Sequence, residues 1–128
     1  MTVINFYQFL LLLHVSKACP IVTSEYWVDW FTIWGGHYNS PDPSRVLDNI
    51  NHMYSKNASI NIYMIIGGTN FAFMNGGGVN QPITTSYDYG AAISENGEIT
   101  PLYRALHAWI QNLTDWPQKP LAIPSNNP

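Results

Sequence analysis

Ser59-Ile60-Asn61-Ile62-Tyr63-Met64-Ile65-Ile66, closed by Gly67-Gly68, is the stretch of this 128-residue chain that decides its fold class. Nearly continuous apolar character, rich in β-branched residues, is how a strand buried on both faces of a parallel sheet reads. Upstream, Asp42-Pro43 sets a capping side chain before a proline in the first turn. Val46, Leu47, Ile50, Met53 and Tyr54 then share one helical face, and Lys56-Asn57 ends the helix. Further upstream, Pro20-Ile21-Val22-Thr23-Ser24 leads as a shorter apolar run into Glu25. Downstream, Thr100-Pro101 caps a second helix with Leu102, Leu106, Trp109 and Leu113 on its inner stripe. The order strand, aromatic loop, helix, strand, glycine-rich loop, helix makes two βα units of an α/β fold.

The residues with chemistry to offer all follow the strands. After the first comes Glu25-Tyr26-Trp27-Val28-Asp29-Trp30-Phe31-Thr32-Ile33-Trp34-Gly35, one acid with a crowd of rings behind it. Aromatic faces suit the C–H faces of a pyranose, and their polar edges can still bond hydroxyls. The plainer alternative is a strand end with an aromatic core cluster and a solvated Glu. After the second strand comes a long loop, residues 69–85, carrying Asn70, Phe71, Phe73, Asn75 and Gly76-Gly77-Gly78; loops of this length are usually functional or disordered. In a TIM barrel the active site is built from such loops at the carboxyl ends of the strands, and a whole barrel takes about 250 residues and eight units. A doubly wound sheet is the other candidate fold. No glycine fingerprint opens a helix directly after a strand, however, and neither glycine cluster carries the lysine of a phosphate loop.

Composition narrows the function classes. A net charge of −3, with 10% charged and 14% aromatic residues, is not basic enough to point to nucleic acid. Cys19 is the single cysteine, which excludes an intrachain disulfide and a cysteine-based metal site. His14, His37, His52 and His107 show no ligand spacing, so neither metal nor cofactor is expected. Residues 1–18 read as a signal-like or divergent apolar segment: the run from Phe6 to Val15 has signal-peptide length, and Ser16-Lys17-Ala18 offers small residues for cleavage. About ten apolar residues do not span a bilayer, which takes roughly 20. A buried element of a larger domain, or sequence from outside the proper reading of the gene, are the alternatives. Residues 115–128, with four prolines, read as a Pro-rich tail or linker.

Several motifs taken together resemble glycoside hydrolase family 35. They are Ser24-Glu25-Tyr26-Trp27 with Trp30-Phe31 and Trp34-Gly35, Asn61-Ile62-Tyr63-Met64 running into Gly67-Gly68-Thr69-Asn70-Phe71, Asn75-Gly76, and Thr85-Ser86-Tyr87-Asp88-Tyr89. The resemblance covers roughly residues 20 to 113, with residues 19–114 as a partial catalytic domain. It implies a fragment of a (β/α)8 TIM barrel, about the seventh and eighth βα units, from an enzyme that removes terminal β-linked galactose with retention. Retention needs two carboxyls about 5 Å apart, one attacking and one protonating the leaving oxygen.

By this resemblance Glu25 matches the nucleophile, Tyr89 a tyrosine that contacts galactose, and Trp30 and Trp27 positions that wall the pocket. For the two tryptophans plain core packing is an equal alternative. An extended Tyr87-Asp88-Tyr89 would put both rings on one side and Asp88 on the other, where it braces the loop. The family's acid/base glutamate belongs to an upstream Asn-Glu pair that has no counterpart in this chain. Glu95 and Glu98 read as a solvated turn. Asp29 and Gly90 stand where the family typically has Gly and Asp, and Ala92 where it has Pro; an inward Asp29 would raise the pKa of Glu25. The expected partner is a β-galactoside or galactose-terminated glycan, without nucleic acid or a membrane span, in the lysosome or outside the cell. The isolated chain is expected to be inactive. The alternatives are a secreted, non-catalytic galactose-binding or interaction module and a truncated product without function.

Overall fold

The structure, a computed structural model, describes the backbone of residues 2–5, then residues 20–38, 40–72, 74, 77–78 and 81–125. His14, Cys19, Phe73, Asn75, Gly76 and the apolar centre of the 1–18 segment lie outside the described residues.

A three-stranded parallel sheet, in the order β1 (Thr2–Asn5), β2 (Ile21–Trp27) and β3 (Ser59–Tyr63), carries the fold. The strand β1 lies within residues 1–18, the segment whose composition resembles a signal peptide. Helix α1 (Pro43–Ser55) makes the crossover from β2 to β3. It begins where its sequence says: the Asp42 carboxylate accepts from the Ser44 N–H at 3.0 Å, and Pro43 occupies the first turn, where no amide partner is needed. Its stop is at Lys56, with Asn57 in the left-handed region at φ 57°. Helix α2 (Pro101–Asn112) is capped the same way by Thr100.

Both helices lie against one face of the sheet. Val46, Ile50 and Met53 of α1 and Leu102 and Leu106 of α2 are buried with Tyr26, Val28, Ala58 and Ala92, and Ile60, Ile62 and Trp109 pack against them. Polar contacts fix α1 to β2. Asn49 donates to the Tyr26 hydroxyl at 2.9 Å, Arg45 donates to the Val28 carbonyl at 2.9 Å, and the Thr23 hydroxyl reaches the Met53 sulfur at 3.4 Å. Residues 114–125 hold no helix or strand, yet His107 Nε2 lies 2.7 Å from the Leu121 carbonyl oxygen, which ties this tail back to α2.

Two expectations are refined. The ladder of β3 stops at Tyr63, although the apolar run continues to Ile66. Ile65 and Ile66 leave the sheet to pair with Ile93, joining the chain before the long loop to the chain after it. That loop is also well paired. Gly77–Gly78 (β4) and Gln81–Pro82 (β5) form a small antiparallel ribbon. Behind it, the Asn70 N–H donates to the Thr85 carbonyl and the Tyr87 N–H to the Gly68 carbonyl. The returning strand also meets the loop after β2, through Trp34 N to Pro82 O and Thr84 N to Thr32 O. The two loops thereby form one wall.

Candidate functional site

Glu25 sits near the carboxyl end of β2, the central strand of the three. Thr23 and Tyr26 are buried on the helix face, whereas Glu25 and Trp27 share the opposite face, and the Trp27 indole N–H donates to Glu25 Oε2 at 2.9 Å. That bond orients one carboxylate oxygen, and a carboxylate of fixed direction has the chemistry to attack or to stabilise positive charge.

Around it stand six rings from three separate segments. Trp27 and Trp30 lie 4.9 Å apart between centroids, Trp30 and Tyr89 5.6 Å, and Phe31 meets Tyr87 at 4.9 Å and Tyr89 at 5.0 Å, both edge to face. Tyr63, at the end of β3, meets Tyr89 at 5.5 Å, and its hydroxyl bonds that of Tyr87. Edge-to-face and offset pairs are the arrangements the ring quadrupole favours. The structure therefore brings Glu25, Trp27, Trp30 and Tyr89 into one cluster. Trp30 remains 49% exposed, enough for an open ring face, while Tyr89 is enclosed at 4%.

Tyr87 and Tyr89 stack at 5.8 Å and 15°, on the same side of the chain. The route differs from an extended segment: Tyr89 lies in the left-handed region at φ 62°, and Gly90 follows it at 67°. Asp88 points away and is buried. Its Oδ2 accepts from the Glu95 N–H at 2.8 Å, so this carboxylate braces the turn that leads to α2.

Burial first, then the bond to Tyr63 and the charge of Glu25, push the Tyr87 phenol up to about 12. The Tyr89 phenol is pushed up too, by burial above all and then by Tyr87, Tyr63, Glu25 and Asp29. Both phenols are thus neutral at any physiological pH, close enough to Glu25 to feel its charge. Asp29 uses its Oδ1 to accept from the Trp30 N–H at 3.0 Å, which caps the turn out of β2. Among the described residues no group of three or more His, Cys, Asp or Glu side chains could hold a metal ion.

Tyr63 and Tyr87 also belong to the cluster; the sequence reading set the Tyr87 ring on the side of Tyr89 but gave neither residue a site role. A signal existed: Ile60 and Ile62 face the helices, so by the two-residue period of a strand Asn61 and Tyr63 face the side of Glu25.

The profile of glycosyl hydrolases family 35 matches residues 2–113. The chain is 40% identical over 110 residues to a bovine (Bos taurus) beta-galactosidase, covering 85% of this chain and 16% of that protein. It is 40% identical over 120 residues to the mouse (Mus musculus) beta-galactosidase-1-like protein, covering 91% and 19%. To the human (Homo sapiens) beta-galactosidase-1-like protein 2 it is 38% identical over 112 residues, covering 85% and 18%. The chain thus spans under a fifth of the length of these curated relatives.

Proposed function

The chain belongs to glycosyl hydrolase family 35, whose catalytic domain is a TIM barrel, and from that membership and the Glu25 site we propose that it forms part of a retaining β-galactosidase. In this reading β2 and β3 are the seventh and eighth strands of the barrel, β1 takes the place of the strand before them, and the wall made by their loops borders the galactose pocket. The single observation that carries it is a carboxylate near the carboxyl end of a central parallel strand, held by an indole N–H and faced by neutral phenols.

Glu25 attacks the anomeric carbon of a terminal β-galactoside and forms the galactosyl-enzyme intermediate. Trp27 keeps the attacking carboxylate oriented. The phenols at 87 and 89 stand beside the attacking carboxylate, on the face of the sugar that Glu25 approaches, and the Trp30 face carries the apolar side of the pyranose. Protonation of the leaving oxygen requires a second carboxyl across the sugar. Among the described residues Glu95 does not serve, because it lies in the turn that closes on Asp88 and its Oε1 accepts from the Thr69 hydroxyl. The isolated 128-residue chain is therefore inactive, since general acid catalysis of this kind contributes about 10² to 10⁴-fold and most of a pocket is supplied by other parts of a barrel.

Two preparations test the reading. The isolated chain should not hydrolyse a chromogenic β-galactoside. Bovine beta-galactosidase with residues 2–113 grafted in place of its matched segment should do so, and Glu25→Gln should abolish that turnover while galactose still binds. Wild-type turnover by the Glu25→Gln graft would end the nucleophile assignment.

A lysosomal or extracellular site is part of the same reading. Asn57 and Asn112, each in a glycosylation sequon, are exposed. Translation with microsomes should add glycans there, and their absence would place the chain in the cytosol.

A further inference from the structure

Strict alternation along β2 would spoil the site. With Thr23 directed at Met53, a regular strand would send residue 25 to the same helix face and residue 26 to the rings. The observed order is the reverse, because β2 carries one residue too many. Toward β3 the partners run Thr23 with Ile60 and then Tyr26 with Ile62, three residues of β2 against two of β3. Toward β1 they run Thr23 with Ile4 and then Glu25 with Asn5. Ser24 has no partner residue on either side. This is a β-bulge, and bulges of this kind re-aim side chains next to active sites.

A bulge leaves a backbone group out of the ladder, and that group needs another partner. Asn61 provides it. Its Nδ2 donates to the Ser24 carbonyl at 2.7 Å, from the one β3 residue that lies between the partners of Thr23 and Tyr26. The Asn61 side chain is on the ring face, alternating with Ile60 and Ile62, and so spans the bulge on the side where Glu25 must point. We infer that Asn61 is a positioning residue: by bonding the Ser24 carbonyl it holds the bulge that turns Glu25 away from α1 and toward the rings. The inference rests on Glu25 being the nucleophile, and it deepens that reading. Asn61 itself touches no reacting atom.

The test uses the graft in bovine beta-galactosidase. Asn61→Ala should lower kcat on the order of 10²-fold, the scale of a misplacement of about 1 Å, with KM changed by less than about threefold. The rate at which a 2-deoxy-2-fluoro-β-galactosyl fluoride is captured on the Glu25 peptide, read by mass spectrometry, should fall by the same factor. Asn61→Asp adds a readout that packing alone does not move. An ionised carboxylate repels the Ser24 carbonyl, whereas the protonated acid donates to it. The ratio of variant to parent kcat should therefore rise as pH falls through the range of an ordinary aspartate, about 4.

Capture on Glu25 at an unaltered rate in Asn61→Ala, or a pH-independent ratio for Asn61→Asp, overturns the positioning role. If Asn61→Ala does not fold, the Asn61→Asp ratio decides alone. Capture on a residue other than Glu25 overturns the nucleophile assignment and with it this inference, and is distinguished by the labelled peptide.

Discussion

Gly67→Ala is the substitution whose consequence the structure sets most sharply. A Cβ on residue 67 would lie 1.6 Å from the Tyr87 carbonyl oxygen, 2.6 Å from its carbonyl carbon and 3.2 Å from the Asp88 Cα. Reaching ordinary non-bonded separation takes a movement of about 2 Å, and both sides are tied. The Tyr87 N–H donates to the Gly68 carbonyl at 2.8 Å, and Asp88 is held to the Glu95 N–H at 2.8 Å. Overpacking costs about 1–3 kcal/mol, and a backbone donor stripped of its partner adds about 1–3 kcal/mol where it stays buried. The total is roughly 2–6 kcal/mol, well beyond a typical surface change. The same displacement moves Tyr87 and Tyr89 off Glu25, and kcat should fall on the order of 10²-fold. Thermal unfolding and turnover of the graft measure both effects. Gly68→Ala is the control: φ there is 74°, but nothing lies within 4 Å of the added carbon. Its cost is only the backbone strain, about 1–2 kcal/mol. A Gly67→Ala graft with parental stability and kcat, or one no worse than Gly68→Ala, refutes the reasoning.

Further expectations follow from the same geometry. Tyr89→Phe keeps the ring contacts to Trp30, Phe31 and Tyr63 and removes one donor, so kcat/KM should drop about tenfold, the worth of one hydrogen bond; a loss as complete as that of Glu25→Gln would mean the roles are misassigned. The Tyr87 phenol is raised in the folded state from 10.0 to about 12, so its contribution to stability is fully present below pH 10 and is lost as pH rises through 12. Denaturant midpoints of the parent graft should fall over that window more steeply than those of Tyr87→Phe, and parallel curves would contradict this. At Gly90 an added Cβ would meet Pro41 Cδ at 2.6 Å and Asp29 Cβ at 3.0 Å. Gly90→Asp should therefore destabilise the graft, and Asp29→Gly should recover part of the loss; strictly additive melting shifts would show that the two positions do not share space.

Local signals were enough for the parts of this protein that depend on neighbours in sequence. Asp42-Pro43 and Thr100-Pro101 announce the starts of both helices because a cap and a first-turn proline act within a few residues. The apolar run around Ile60 and Ile62 marks a parallel strand for the same reason, and Glu25 amid aromatic residues, together with the family motifs, was legible as a candidate nucleophile. Tertiary structure decided the rest. Which way Glu25 points depends on a residue, Ser24, that lacks a partner on two other strands, and no local pattern carries that information because register is a relation between segments far apart in the chain. Tyr87 joins the site because the long loop folds back over Gly67, where the absence of a Cβ admits the Tyr87 backbone, and there its hydroxyl meets that of Tyr63. The extended reading put the Tyr87 and Tyr89 rings on one side with Asp88 opposite, as observed, but missed the left-handed Tyr89, a backbone state that the preference of a tyrosine does not supply and that the packing around its ring and the Asp88 brace accompany.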